Sequence, residues 1–368
     1  MNDPFKALYV HVPFCRAKCS YCDFASHVPG HNSEMDAYVE AVVLALRARG
    51  RDGLLSDIET VYFGGGTPTF LGPARLTQLL YALSLSMHLT DTVECTIEAN
   101  PESLTRRMVR DLWALGANRL SLGVQSFDDT VLGILGRPHS ADDARRAIDD
   151  AHDRFHNVSI DLICGIPGQT PGSFLSSVQE AIALGVSHIS IYPLTIEEGT
   201  PFYSLYSKGL LAAIDEDEQA DAMIDASRIL KQAGFYRYEV ASYARMGYEC
   251  RHNCSYWTGV PYLGIGSGAV SMEQNDEGRW RSQDGYILER LDRYQREAED
   301  LMLGMRLTKG ISDIRLNEAA KLLPQAPNTF SSLVSLGLVE HTDGVWQSSE
   351  KGWLLGNELY GALLDLAP

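Results

Sequence analysis

Tyr9-Val10-His11-Val12-Pro13-Phe14-Cys15, then Cys19, then Tyr21-Cys22-Asp23-Phe24, is the stretch on which the fold turns. Leu8 to Val12 is a short apolar run of strand-forming residues. Three cysteines in the spacing C-x3-C-x2-C follow directly. Helical pattern then runs from Met35 to Arg49. A strand that ends in a polar, thiol-bearing loop and continues into a helix is the first βα unit of an α/β chain.

Five more units follow. Strands are expected at Thr60 to Phe63, Glu94 to Ala99, Arg119 to Val124, Val158 to Cys164 and His188 to Leu194. The helices behind them are Arg75 to Leu85, Thr105 to Leu115, Ala141 to Arg154, Phe174 to Leu184 and Glu216 to Ala233. Right-handed crossovers between parallel strands give either an open six-stranded barrel or a doubly wound sheet. Cys15, the Gly64-Gly65-Gly66 run, Glu98, Gln125 and Asp161 fall at the C-terminal ends of five successive strands. Any one of them reads equally well as an ordinary turn residue. Together they favour a barrel, whose active site is built at that face. The fold expected is thus α/β, a partial (β/α)6 barrel, with a smaller C-terminal α+β domain of winged-helix type.

The repeat stops near Tyr238. Residues 1–240 are expected to form the core domain, 241–285 a separate segment and 286–368 the C-terminal domain. Tyr248 to Ser271 is rich in aromatic residues and glycine and reads as non-helical. Helical pattern is expected from Tyr286 through Met302 and Asn317 to Leu323, and then from Thr329 to Leu336 with a stop at Gly337. Asp343-Gly344 signals a hairpin. A recognition helix would need outward Lys or Arg, and Thr329 to Leu336 has neither.

The chain has 368 residues, 45% hydrophobic and 21% charged, with a formal net charge of −17. That charge opposes nucleic-acid binding, which rests on neutralising phosphates, so no nucleic-acid partner is expected. No apolar run of about 18 residues suggests a membrane span. The first residues show no secretory signal pattern. Seven unevenly spaced cysteines do not form a disulfide framework, so a cytoplasmic, reducing location is expected.

Three readings fit Cys15, Cys19 and Cys22: structural thiols, zinc ligands, or three corners of a four-iron cluster. Arg16, Lys18 and Ser20 between the sulfurs argue against burial among apolar side chains. Zinc wants four ligands; His11 or His27 could be a fourth, but no second C-x2-C exists. Three thiolates leave one iron of a [4Fe-4S] cluster open to a small molecule. Gly64-Gly65-Gly66-Thr67-Pro68 lacks the Lys of a P-loop and the spacing of a dinucleotide fingerprint. Adjacent glycines let a ligand approach the backbone closely.

With these residues the chain resembles the radical S-adenosylmethionine (SAM) family. The pieces are YVHVPFC, GGGTPT, IEANP, LSLGVQSF, GRPHS, IDLICGIPGQT, LTIEEGTPFY and HNCSYW. They place it in the branch that holds oxygen-independent coproporphyrinogen III oxidase and the heme chaperones. The resemblance implies a [4Fe-4S] cluster on the three cysteines, with SAM on its open iron. Tyr9 and Tyr21 would flank SAM. Gly65, Gly66 and Thr67 would line its methionyl part. Glu98, Gln125, Arg137 and Asp161 would make its polar contacts.

Within the branch, the oxidase carries a fourth cysteine where this chain has Phe24, and a longer segment before its cluster. His252-Asn253-Cys254-Ser255-Tyr256-Trp257 matches the H-N-x-x-Y-W signature of the heme-chaperone group. That side of the resemblance implies heme binding, with His252 as its iron ligand and no classical turnover. The partners it implies are heme, an apo-hemoprotein acceptor (a membrane-associated one included) and a second copy in a homodimer. The alternative is oxidative decarboxylation of coproporphyrinogen III.

Overall fold

The computed structural model describes residues 2–87, 89–90, 92–212 and 215–368. Six parallel strands form the centre: β1 (Ala7–Val12), β2 (Thr60–Gly65), β3 (Glu94–Ala99), β4 (Arg119–Gln125), β5 (Asn157–Cys164) and β6 (His188–Pro193). They lie side by side in sequence order. A doubly wound sheet would reverse that order at a switch point; this one winds in a single direction, as a barrel does. The connecting helices are α1 (Asn32–Arg51), α2 (Pro73–Ser86), α3 (Arg106–Ala114), α4 (Asp129–Leu135), α5 (Ala141–His152), α6 (Pro171–Ala183), α7 (Pro201–Tyr206) and α8 (Glu216–Gln232).

Strand alternation explains the layers. Successive side chains point to opposite faces. Leu120, Leu122 and Val124 of β4, Ile160 and Leu162 of β5, and Cys95 and Ile97 of β3 share one parity and join the main core. The other parity holds Thr96, Glu98, Ser121, Gln125, Ser159, Asp161 and Ser190, which leaves the inner face polar. The helices start where the chain supplies a cap. Thr105, Asp128, Ser140, Thr170, Thr200 and Asp215 each accept a backbone N–H of the first turn. Such a cap is worth about 1 kcal/mol.

The barrel stays open. Beyond β6 lie β8 (Ser242–Ala244) and β7 (Tyr236–Arg237), both antiparallel. A helix, α9 (Arg251–Trp257), precedes β9 (Tyr262–Ile265), which pairs parallel with β1. Then β10 (Val270–Asn275), β11 (Gly278–Gln283) and β12 (Tyr286–Asp292) extend the sheet to twelve strands. The helix α10 (Arg293–Gly304) follows.

Two expectations are corrected and one element is added. The segment read as non-helical contains α9. Tyr286–Asp292, read as helix, is the edge strand β12, paired along its length with β11. Its Leu288 and Leu291 have helical spacing, and only the cross-strand partners decide the outcome. The short helix α4 was not foreseen, because Gly133 interrupts its apolar run.

The C-terminal part packs Leu301, Leu316, Phe330, Leu333 and Leu359 into a second core. Its helices are Asp313–Ala319, Ala326–Ser335, Glu350–Leu354 and Gly356–Leu364. Its hairpin, Val339–Thr342 with Val345–Ser348, turns through Asp343 (φ 53°) and Gly344 (φ 76°). Two positive φ values are what a two-residue hairpin of this hand requires. Among the described residues no helix is long and apolar enough to cross a membrane.

Candidate functional site

The thiol loop is held at both ends. Cys15 N–H donates to His27 O at 3.0 Å and His27 N–H to Pro13 O at 2.8 Å, which pinches the loop into a ring. Farther along, Ser20 N–H donates to Leu135 O at the end of α4, and Phe202 N–H of α7 to Ser20 O. Two thiols meet donors from neighbouring strand ends. Thr67 Oγ1 donates to Cys15 Sγ at 3.6 Å and Arg137 Nη1 to Cys19 Sγ at 3.4 Å. Burial pushes the Cys22 thiol up, and Cys19 and Cys15 beside it add to the effect.

Asn100 closes this arrangement. Its Nδ2 donates to Thr67 Oγ1 at 2.9 Å, and Arg137 Nη2 donates to its Oδ1 at 2.8 Å and to Gly123 O at 2.6 Å. Cys15, Thr67, Asn100, Arg137 and Cys19 thus form one hydrogen-bonded arc across the ends of β1 to β4. Asn100 was not singled out from the sequence. Its signal was present, because it sits two residues after Glu98 and so on the same inner face.

The glycine turn is zipped onto the thiol loop. Gly66 N–H donates to Val12 O at 2.7 Å and Thr67 N–H to Phe14 O at 2.8 Å. A Cβ at Gly66 would stand 2.6 Å from Phe14 O and 2.9 Å from Val12 O. Gly65 has φ 108°, a value that favours glycine. No other residue type lets this turn lie so close to Cys15.

Around it the inner face supplies charge. Glu98 accepts from Tyr62 Oη at 2.7 Å and from Gly65 N–H at 3.2 Å. Burial pushes its carboxyl up to about 7, although those hydrogen bonds pull the other way; the nearby Asp161 charge adds to the rise. Burial pushes Asp161 up to about 6, against a hydrogen bond from Ser190 and the charges of Arg119 and Arg137. Gln125 is held at φ 67° where the β4–β5 ladder shifts register. A left-handed non-glycine residue costs about 1–2 kcal/mol. Such strain persists where the surroundings over-determine it, commonly at ligand sites. Tyr9 Oη meets His11 Nδ1 at 3.1 Å, and Tyr21 packs near Arg137 and Cys19.

The residues expected to serve cluster and SAM therefore converge on one end of the barrel. Among the described residues no three His, Cys, Asp or Glu side chains close on a point as a single ion would need. A four-iron cube takes its thiolates at separate corners instead. The donor set fits cluster and SAM: three thiols with two donors aimed at them, a glycine cradle, and carboxyls that gain from a nearby cation. Arg137 Nε is buried without a partner among the described residues, one guanidinium donor left for a ligand.

His252 lies elsewhere. It is 1% exposed, below the inner face of β2. Its Nδ1 meets Thr60 Oγ1 at 2.9 Å, and its Nε2 meets Tyr256 Oη at 3.0 Å. Its ring stacks on Tyr62 with centroids 5.1 Å apart. Burial pushes the imidazole down to about 3, so it stays neutral. Both nitrogens are thus engaged, and the imidazole offers no free lone pair to an iron. The expectation that His252 is an open heme ligand does not match this placement.

The sequence pattern of the radical SAM superfamily matches residues 9–181. The heme chaperone HemW of Bacillus subtilis is 31% identical, over 98% of this chain and 99% of its own length. HemW of Synechocystis is 37% identical, over 86% of this chain and 83% of its own. The chain belongs to the HemW family of radical SAM proteins. Among solved structures, the coproporphyrinogen III oxidase HemN of Escherichia coli superposes with a TM-score of 0.81, covering 98% of this chain and 90% of its own at 22% identity. That likeness is one of fold. Radical SAM membership brings a [4Fe-4S] cluster and SAM, and the arc of thiols and strand-end residues is where this chain has the groups for both.

Proposed function

We propose that this chain is a cytoplasmic heme chaperone that binds heme and passes it to an apo-hemoprotein acceptor. Cys15, Cys19 and Cys22 would hold the cluster, and the glycine turn would hold SAM. The observation that carries the reading is the end-to-end match to proteins named heme chaperones. Phe24 agrees with it, standing 65% exposed where the oxidase resemblance calls for a fourth cysteine.

In this reading the bound cluster supplies an open iron and an electron-transfer centre. The protein does the rest by placement. Thr67 and Arg137 donate hydrogen bonds to Cys15 and Cys19 and so hold negative charge on sulfur. Gly65 and Gly66 bring backbone to the amino-acid part of SAM. Glu98 offsets the positive charge of SAM, whose approach draws its carboxyl toward the ionised form. The unpartnered Arg137 Nε would meet the SAM carboxylate. Gln125 and Asp161 would accept from ribose or adenine, and Tyr9 and Tyr21 would flank SAM.

The test is anaerobic reconstitution followed by two assays in parallel. Hemin titration is expected to give a shifted Soret band at micromolar concentration. Coproporphyrinogen III with SAM and a reductant is expected to give no protoporphyrinogen above background. Absence of heme binding together with decarboxylation would reverse the reading.

A further inference from the structure

The HNCSYW helix has two faces, and the second one opens on a cavity. His252 and Tyr256, four residues apart, turn toward β2. Asn253 and Trp257, also four apart, line a cleft of about 1190 Å³. Its other walls are the end of β6 at Tyr192, the β7–β8 turn, and Arg306, Trp353 and Tyr360 beyond the barrel. A recess of about 250 Å³ shares Arg306, Trp353 and Tyr360 with it and adds Arg237. Drug-sized ligands occupy about 300–1,000 Å³, so the cleft has room for a macrocycle.

Two guanidinium groups, Arg306 on the cleft and Arg237 on the adjoining recess, make no ion pair among the described residues. The Arg306 guanidinium lies between two aromatic rings, 4.8 Å from the Trp257 centroid and 4.6 Å from that of Tyr360. Its Nε is buried with no partner, and among the described residues its side chain makes no ion pair. Arg237 stacks on Trp353 at 4.1 Å and likewise has no ion pair among the described residues. Four acids, Glu216, Asp217, Glu239 and Glu350, also line the cleft; Glu239 is taken up by the Trp257 Nε1–H at 3.2 Å and the Ala241 N–H, and burial pushes it up. Guanidinium groups are suited to carboxylates, which they bind through paired donors. Aromatic faces suit a flat π-system.

We infer that this cleft seats heme, with the macrocycle against Trp257 and Trp353 and its two propionates on Arg306 and Arg237. The inference rests on the heme-chaperone reading and replaces His252 with the other face of its helix as the contact surface. His252 then acts as an organiser of α9.

The test is titration of the reconstituted full-length chain with hemin and with hemin dimethyl ester, which lacks the propionate charges. Arg306→Gln and Arg237→Gln are each expected to weaken hemin at least tenfold and the ester less than threefold. Lys351→Glu, an exposed change at the cleft rim, is expected to weaken hemin severalfold and spare the ester, and serves if an arginine variant fails to fold. If the unaltered chain binds no hemin, the chaperone reading and this site fall together. If it binds hemin and the variants match it, the site alone falls. Equal losses for hemin and ester overturn the propionate assignment.

Discussion

Glu98→Gln should stabilise the SAM-free protein while weakening SAM. The carboxyl sits on the inner face between Tyr62 and Gly65, where burial raises it from 4.5 to about 7. The native state therefore holds this proton more tightly than the unfolded chain does. Between pH 4.5 and 7 the native state binds more protons, so stability falls as pH rises. The contribution is whole below pH 4.5 and gone above 7. A shift of that size corresponds to about 3 kcal/mol. Glutamine, uncharged at every pH, escapes the loss.

The wild-type curve alone conceals the effect. His252 runs the opposite way: its folded value is depressed from 6.5 to about 3, so its contribution is present above pH 6.5 and lost as pH falls. The two slopes oppose each other between pH 4.5 and 6.5. The difference between variant and wild type removes His252, which both share. Urea unfolding from pH 4 to 8, read by intrinsic fluorescence, should show that difference growing by about 3 kcal/mol up to pH 7 and then levelling. Release of the charge repulsion on Asp161 adds to it in the same direction. A difference curve that stays flat between pH 5 and 8 refutes the reasoning, because Glu98 would then be ionised in the native state at no cost.

Two further changes test other parts of the structure. Gly66→Ala places a Cβ 2.6 Å from Phe14 O; the turn must lift off the thiol loop, and SAM affinity measured by equilibrium dialysis should fall at least tenfold with iron content unchanged. Arg279 is buried, pairs with Glu299 and Asp300, and donates to Gln274 and Gly259 O; Arg279→Ala takes the ion-pair partner from Asp300 while Glu299 keeps Arg281, which should cost about 3 kcal/mol in urea unfolding.

The barrel was legible because its strands are sequential and alternate cleanly. Leu120-Ser121-Leu122-Gly123-Val124-Gln125 shows both faces of β4 in one line of sequence, and the polar positions at successive strand ends pointed to the site. Asn100 was missed because a residue after a strand end, followed by proline, reads as a turn. Its role appears only once Thr67 and Arg137, on other strands, reach it from both sides. Tyr286–Asp292 was misread for the converse reason. A strand at a sheet edge with Tyr286 and Leu288 exposed carries no buried face to set its period, so its identity comes from the β11 ladder alone.

The helix α9 shows how far a motif can be read without its partners. Apart from Arg251 its residues are weak helix formers, and its N-cap Cys250 makes no side-chain cap. What starts it is Glu94, far back in β3, whose carboxylate accepts from Arg251 N–H at 3.0 Å and His252 N–H at 2.9 Å. An anion at a helix N-terminus offsets the unpaired N–H groups there. Because Glu94 fixes the helix start, it also fixes the helix rotation. That rotation sends His252 and Tyr256 to Thr60 and Tyr62, and Asn253 and Trp257 to the cleft. The sequence pattern put His252 beside Tyr256 and Trp257 as one heme motif. The 3.6-residue turn separates them instead, so that the ring that holds Tyr62 under Glu98 and the ring that holds Arg306 over the cleft belong to opposite faces of one short helix.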